Sequence, residues 1–317
     1  MKRATNLYEQ VCSIDNLLLA DSIARRGKSK QSSIIEFDKN FDQNIADIYR
    51  QLVTHTYCTS PYIHRTIFER KERVISVLPY RDRIVHHAIM NVLEPLFVAV
   101  FTRDTYSCIK GRGVHLASAV LRGYLKDVKH TSYCLKVDIK KFYPSVDNTI
   151  LKSLLRKKIK DKEMLGLLDG IIDSAQGLPI GNYLSQYLSN FYLTYFDHWV
   201  KEVLGLRYYI RYADDILVLH SDKKYLRELH GTLTTYLKSQ LRLDLKPNRG
   251  VFPVSLGIDF CGYVHYHTHT MLRKSIKQAF ARAVKAKKSK ASIASYMGWA
   301  KHCNSKNLIK KLTNEKF

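Results

Sequence analysis

The chain has 317 residues, with 52 Lys and Arg against 28 Asp and Glu, a formal charge of +24. A chain of this length has enough residues for one large domain or a few small ones around real cores, and 45% hydrophobic with 11% aromatic residues excludes a disordered basic tail. The charge excess is well beyond what solubility requires and points to a polyanion, most simply nucleic acid.

Six cysteines are widely spaced and form no C-x-x-C pair, which argues against a zinc ribbon or a disulfide framework. No apolar run approaches the ~18 residues of a membrane span. Polar and charged residues follow Met1 rather than a signal-peptide core. The expected setting is a reducing cytoplasm with no membrane partner.

In chain order, residues 14–24 and 41–52 carry helical spacing, with the basic, glycine-containing loop 25–30 between them. Residues 65–77 read as a hairpin turning at 69–72. A helix follows over 84–97. Tyr133-Cys134-Leu135-Lys136-Val137-Asp138-Ile139 reads as a strand ending in an acid. Helices are expected over 148–160 and 164–174, then the loop 177–182 opens a long helix over 183–203. Residues 206–212 and 216–220 read as strands around Ala213-Asp214-Asp215. An amphipathic helix covers 224–241, and strands follow near 251–253 and 260–266. From 271 onward the pattern is helical and basic, with 13 cations against one acid, half of the whole excess.

The telling residues are carboxylates in a cationic chain. Asp138 ends an apolar strand, and Asp214 and Asp215 sit between two apolar strands. An adjacent Asp-Asp pair repels itself unless a cation intervenes. Hard oxygen ligands of this kind suit Mg²⁺ completed by water and phosphate, and two such ions serve phosphoryl transfer. The plain alternative is a solvated turn, in which Asp is ordinary. His265, His267 and His269 alternate and would share one strand face, with no acid or Cys at ligand spacing to make them a metal site.

Tyr212-Ala213-Asp214-Asp215 resembles the Y-x-D-D box of reverse transcriptases. Lys136-Val137-Asp138-Ile139-Lys140-Lys141-Phe142-Tyr143 resembles the family's first catalytic motif. Lys71-Glu72-Arg73-Val74-Ile75 and Tyr80-Arg81-Asp82-Arg83 are similar to its fingers motifs, and 241–246 and 257–263 to later palm and primer-grip motifs. Leu178-Pro179-Ile180-Gly181-Asn182-Tyr183-Leu184-Ser185-Gln186 resembles the I-G-x-x-x-S-Q signature of enzymes from diversity-generating retroelements. Group II intron, retron and retroviral enzymes usually carry Q-G-x-x-x-S-P there. Ala213, and Tyr183-Leu184 in place of Leu-Thr, depart from the usual pattern without removing a catalytic oxygen.

The resemblance implies an α+β right-hand polymerase: fingers over 1–128, palm over 129–269 with fingers-side helices at about 148–185, and a basic helical thumb over 270–317. It implies RNA-directed DNA synthesis with two Mg²⁺ ions, for which Mn²⁺ can substitute. Asp138, Asp214 and Asp215 would be the catalytic and metal-binding acids, with the Ile139 carbonyl as a further ligand. Arg73, Lys71 and Arg81 would meet the triphosphate, Tyr143 would exclude a 2′-hydroxyl, and Ile180, Gly181 and Gln186 would border the nucleotide. Ile180 in place of Gln implies copying that is error-prone opposite adenine.

Lys246 is a candidate general acid. Gly257, Phe260, Gly262 and Tyr263 would form the primer and template grip. Implied partners are a template RNA, its RNA/DNA hybrid, deoxynucleotides and an oligomeric basic accessory variability protein. The expected location is the cytoplasm of a bacterium, the gene being bacterial or phage-borne. The alternatives are a retron- or group II intron-like enzyme, and a catalytically silent RNA-binding scaffold derived from a polymerase.

Overall fold

A computed structural model describes residues 3–68, 72–247 and 250–313. The chain forms two compact units, each built from separated stretches: Met1–Thr102, Lys140–Asp197 and Tyr236–Asp244 in the first, and Arg103–Ile139, His198–Thr235 and Leu245–Phe317 in the second.

The first unit is mainly helical. Helices Tyr8–Cys12, Ile14–Ala24, Ser32–Asp38 and Phe41–Val53 gather on the 21-residue helix Tyr80–Val100. That last helix is long and apolar enough to span a membrane by length and composition, although His86, His87, Asn91 and Glu94 interrupt its apolar residues, and half of its apolar window is buried inside the protein. Strands β1 (Ile63–Phe68) and β2 (Glu72–Val77) pair antiparallel, with Ile63 opposite Val77.

Helices Asn148–Arg156 and Lys162–Asp173 begin where side chains cap them. Asp147 accepts from the Ile150 amide and Asp161 from the Met164 amide, satisfying amides that have no partner within the helix. The helix Tyr183–His198 buries most of its residues, and Phe191 packs 4.9 Å from Phe97.

The second unit holds the larger sheet. Strands β3 (Tyr133–Asp138), β4 (Tyr209–Tyr212), β5 (Asp215–His220) and β6 (Gly250–Pro253) lie in the order β4-β5-β3-β6, with each pair antiparallel. A second sheet, β7 (Ile258–Phe260), β8 (Tyr263–His265) and β9 (Thr270–Leu272), precedes three helices, Lys274–Lys285, Lys290–Ala300 and Lys306–Thr313. Leu121, Cys134, Leu217 and Phe260 belong to one core cluster of this unit, and Tyr263, Leu272, Phe280 and Ile309 to another.

Three expectations are corrected here. The single strand expected over 260–266 is two strands, because Cys261 (φ +49°) and Gly262 (φ +83°) turn the chain left-handed between them. The chain turns again after His265, so the three histidines share no strand face: His265 is buried, His267 meets the Thr131 carbonyl, and His269 stacks on Tyr266. The basic tail is entered by β9 rather than by a helix.

Candidate active site

The second unit brings the acids together by strand register. β3 and β5 pair so that Asp138 lies opposite Asp215, which sets their Cβ atoms about 5 Å apart. Asp214 is held beside them because β4 and β5 are joined by a minimal turn in which Ala213 takes φ +53°. That left-handed conformation is uncommon for a residue with a Cβ. The Ile139 amide donates to the Asp214 carbonyl at 3.3 Å, tying the turn to the end of β3.

These carboxylates are costly to charge where they stand. Burial pushes the Asp215 carboxyl up to about 6, against the opposing pull of Lys136. Asp214 is raised by burial first and then by the Asp138 carboxylate. Two lysines answer the charge. Lys136 donates to Asp215 Oδ2 at 3.1 Å and to the Asp259 carbonyl at 2.6 Å. The Lys246 ammonium pairs with Asp138 Oδ1, and its amide donates to the Asp138 carbonyl at 2.8 Å.

Asp215 Oδ1 is buried with no hydrogen-bond partner. Among the described residues no three His, Cys, Asp or Glu side chains stand in metal-ligand geometry, and the Lys246 ammonium rests on one oxygen of Asp138. Crowded hard oxygens, one of them orphaned, nonetheless fit a divalent cation by donor chemistry.

The remaining candidates fall in two groups. In the first unit, Arg73 is exposed on β2 opposite Ile67. Lys71 lies outside the described residues. Arg81 donates to Gln51 at 2.6 Å. Tyr143 is half-buried, its hydroxyl accepting from Ser189 and its carbonyl from the Leu178 amide. The Ile180 carbonyl accepts from the Ser76 amide at 2.8 Å, which docks the loop 177–182 on β2. Gly181, at φ +111°, has no room for a side chain, since a Cβ would lie 2.7 Å from Ile75 Cγ2. Gly181 and Gln186 line an open groove of about 800 Å³ with Arg26, Lys28, Arg65 and Arg83.

In the second unit, Gly257 and Gly262 sit at positive φ in crowded turns. Phe260 and Tyr263 are fully buried, so they support the β7–β8 hairpin from inside and reach no ligand themselves. The sequence reading missed Lys136. The signal was there: two residues before Asp138 it shares that acid's strand face. It also missed Arg211, a cation inside the apolar strand β4.

The reverse transcriptase (RNA-dependent DNA polymerase) family model matches residues 63–265, the stretch that holds every one of these acids. The chain belongs to the reverse transcriptase family. This reverse transcriptase is 25% identical over 264 residues to protein YkfC of Escherichia coli (strain K12), covering 68% of this chain and 67% of that protein. It is 24% identical over 216 residues to the group II intron-encoded protein LtrA of Lactococcus lactis subsp. cremoris, covering 63% of this chain and 36% of LtrA.

Among solved structures it resembles apo telomerase from Candida tropicalis, with a TM-score of 0.54 and 13% identity over 72% of this chain and 52% of that one. The likeness shows the fold, that of the right-hand polymerases, with mixed helices and antiparallel sheets. The reverse transcriptase spans about half of the telomerase chain and about a third of LtrA.

Proposed function

We propose that this reverse transcriptase is an active RNA-directed DNA polymerase. The observation that carries the reading is the register of β3 and β5, which sets Asp138 against Asp215 with Asp214 beside them. In the reaction a primer 3′-oxygen bonds to the α-phosphorus of a deoxynucleotide while the bond from that phosphorus to the bridging oxygen breaks, releasing pyrophosphate. Asp138, Asp214 and Asp215, with the Ile139 carbonyl, would hold two Mg²⁺ or Mn²⁺ ions. When bound, such ions stabilise charge on the attacking and leaving oxygens.

The Lys246 ammonium, which rests on Asp138, is the candidate donor of a proton to pyrophosphate. Arg73, Lys71 and Arg81 offer guanidinium and ammonium donors to the triphosphate. Tyr143 blocks a ribose 2′-hydroxyl. Ile180, Gly181 and Gln186 border the nucleotide, and Gly257 and Gly262 shape the primer grip.

Ile180 and Gln186 support the subtype in which cDNA is copied with errors at template adenines for sequence diversification. On that reading the enzyme works in a bacterial cytoplasm with an element-encoded template RNA, its RNA/DNA hybrid and an oligomeric basic accessory protein. The similarity to LtrA favours a second reading, a group II intron-like enzyme. Fingers, palm and thumb are assigned to 1–128, 129–269 and 270–317 on the same footing.

The deciding experiment is primer extension on an RNA template with Mg²⁺, wild type beside Asp214→Asn. Extension by the wild type and a loss of at least roughly a thousandfold in the variant is expected, since a charged ligand is exchanged for a neutral one. No cDNA from the wild type, alone or with its accessory factors, would favour the silent scaffold.

A further inference from the structure

Among the described residues Arg211 is the largest side chain that is completely buried. A guanidinium placed in an apolar sheet is expensive unless its donors are used, and Arg211 is not left unpaired. Its backbone is fixed on one side by β5, where it lies opposite Ile216. On the other side its amide donates to the Asp104 carbonyl at 2.9 Å, and its carbonyl accepts from the Tyr106 amide at 3.0 Å. From this fixed base Nη1 donates to the Ala213 carbonyl at 3.0 Å.

That carbonyl belongs to the peptide that enters Asp214. The peptide leaving Asp214 is held as well, its carbonyl accepting from the Ile139 amide. Asp214 is therefore anchored on both sides, and the Arg211 anchor acts on the one residue of the turn, Ala213, that stands at positive φ. A carbonyl free to rotate would let Ala213 relax to the right-handed region and carry Asp214 away from Asp138.

We propose that Arg211 is a positioning residue, whose buried guanidinium clamps the Ala213 carbonyl and so fixes the left-handed turn that aims Asp214 at Asp138. The inference rests on the polymerase reading for its consequence in catalysis, though the clamp itself is a property of the turn.

The test uses the full chain with Arg211→Met, Arg211→Lys, Ala213→Gly and the double variant Arg211→Met/Ala213→Gly. Single-nucleotide incorporation, primer–template Kd and hydrogen–deuterium exchange of peptides covering 208–219 are measured. Arg211→Met should slow incorporation by about 100-fold, leave primer–template Kd within about twofold, and raise exchange at 212–216 rather than throughout the unit. Glycine adopts positive φ without a Cβ clash, so whatever rate Ala213→Gly has by itself, Arg211→Met should cost roughly tenfold less in the Ala213→Gly background than in the wild type.

An unchanged rate or unchanged local exchange in Arg211→Met overturns the clamp, as does an equal cost in the Ala213→Gly background. If Arg211→Met does not fold, Arg211→Lys decides, because one ammonium still reaches a carbonyl. Local exchange with a partial rate loss supports positioning, and general unfolding of both variants reduces Arg211 to a packing role and overturns it. If the wild type makes no cDNA the polymerase reading falls, while the exchange data still decide the clamp.

Discussion

Histidine 86 shows what one buried side chain does to the stability of the protein. It is 2% exposed on the helix Tyr80–Val100, and its Nε2 has no hydrogen-bond partner. Burial pulls the imidazole down to about 4, and neighbouring His87 adds in the same direction while Asp82 opposes. The folded state thus holds the ring neutral where the unfolded chain, titrating near 6.5, takes up a proton. Its contribution is fully present above pH 6.5 and is lost as pH falls toward 4. Between pH 7 and pH 5 the loss is about 2 kcal/mol, from the proton taken up only on unfolding. His86→Leu should flatten this part of the pH dependence, read from urea midpoints at the two pH values. Equal drops in variant and wild type would refute it. The sequence placed His86 on a helix but could not show that its ring nitrogen goes unpaired, because that depends on side chains remote in the chain.

At the scale of elements, the loop and hairpin turns carry the tightest constraints. The loop 177–182 is docked on β2 by the Ile180 carbonyl, and on the proposed reading the aliphatic Ile180 side chain takes the place of an amide. Restoring that amide with Ile180→Gln offers one hydrogen bond, about 1 kcal/mol. Misincorporation opposite template adenine should fall by a few-fold up to about tenfold, measured by sequencing cDNA from a defined RNA; identical error spectra would remove Ile180 from fidelity.

The turn between β7 and β8 is constrained differently. A Cβ at Gly262 would lie 2.4 Å from Trp299 Cζ3, at φ +83°. Gly262→Ala should destabilise the protein by about 2 to 4 kcal/mol through clash and backbone strain, seen as a lower thermal midpoint that Trp299→Leu partly recovers. Short apolar runs ending at acids and helical spacing made β3, β5 and the helix Lys223–Leu241 legible almost to the residue. The β7–β8 break was not, because the residue beside Gly262 that enters the left-handed region is Cys261, which carries no turn signature. The acids were legible as motifs. Their pairings with lysine were not, since Lys136 meets Asp215 from the neighbouring strand and Lys246 meets Asp138 from a segment more than a hundred residues on.

At the scale of the molecule the charge excess has a place to act. Thirteen cations and one acid follow residue 270, and Lys274, Lys277, Lys285 and Lys288 are exposed on and just beyond the helix Lys274–Lys285. The same helix buries Phe280 and Ala283, and Phe280 joins a core shared with Tyr263 and Ile309. Removing the segment would therefore uncover that core, and charge rather than chain must be changed. Replacing the four lysines with Gln keeps the buried face and removes only cations. If each neutralises one phosphate of an RNA/DNA duplex, the log–log dependence of affinity on salt should become shallower by about 3 to 4 units, since each contact contributes about 0.9. Sequence preference should stay the same, because phosphate contacts position a duplex without reading it. Anisotropy titrations of a labelled hybrid at several salt concentrations measure the slope. An unchanged slope would move the duplex off this helix and leave the basic groove beside Gly181 and Gln186 as the surface where the remaining excess meets nucleic acid.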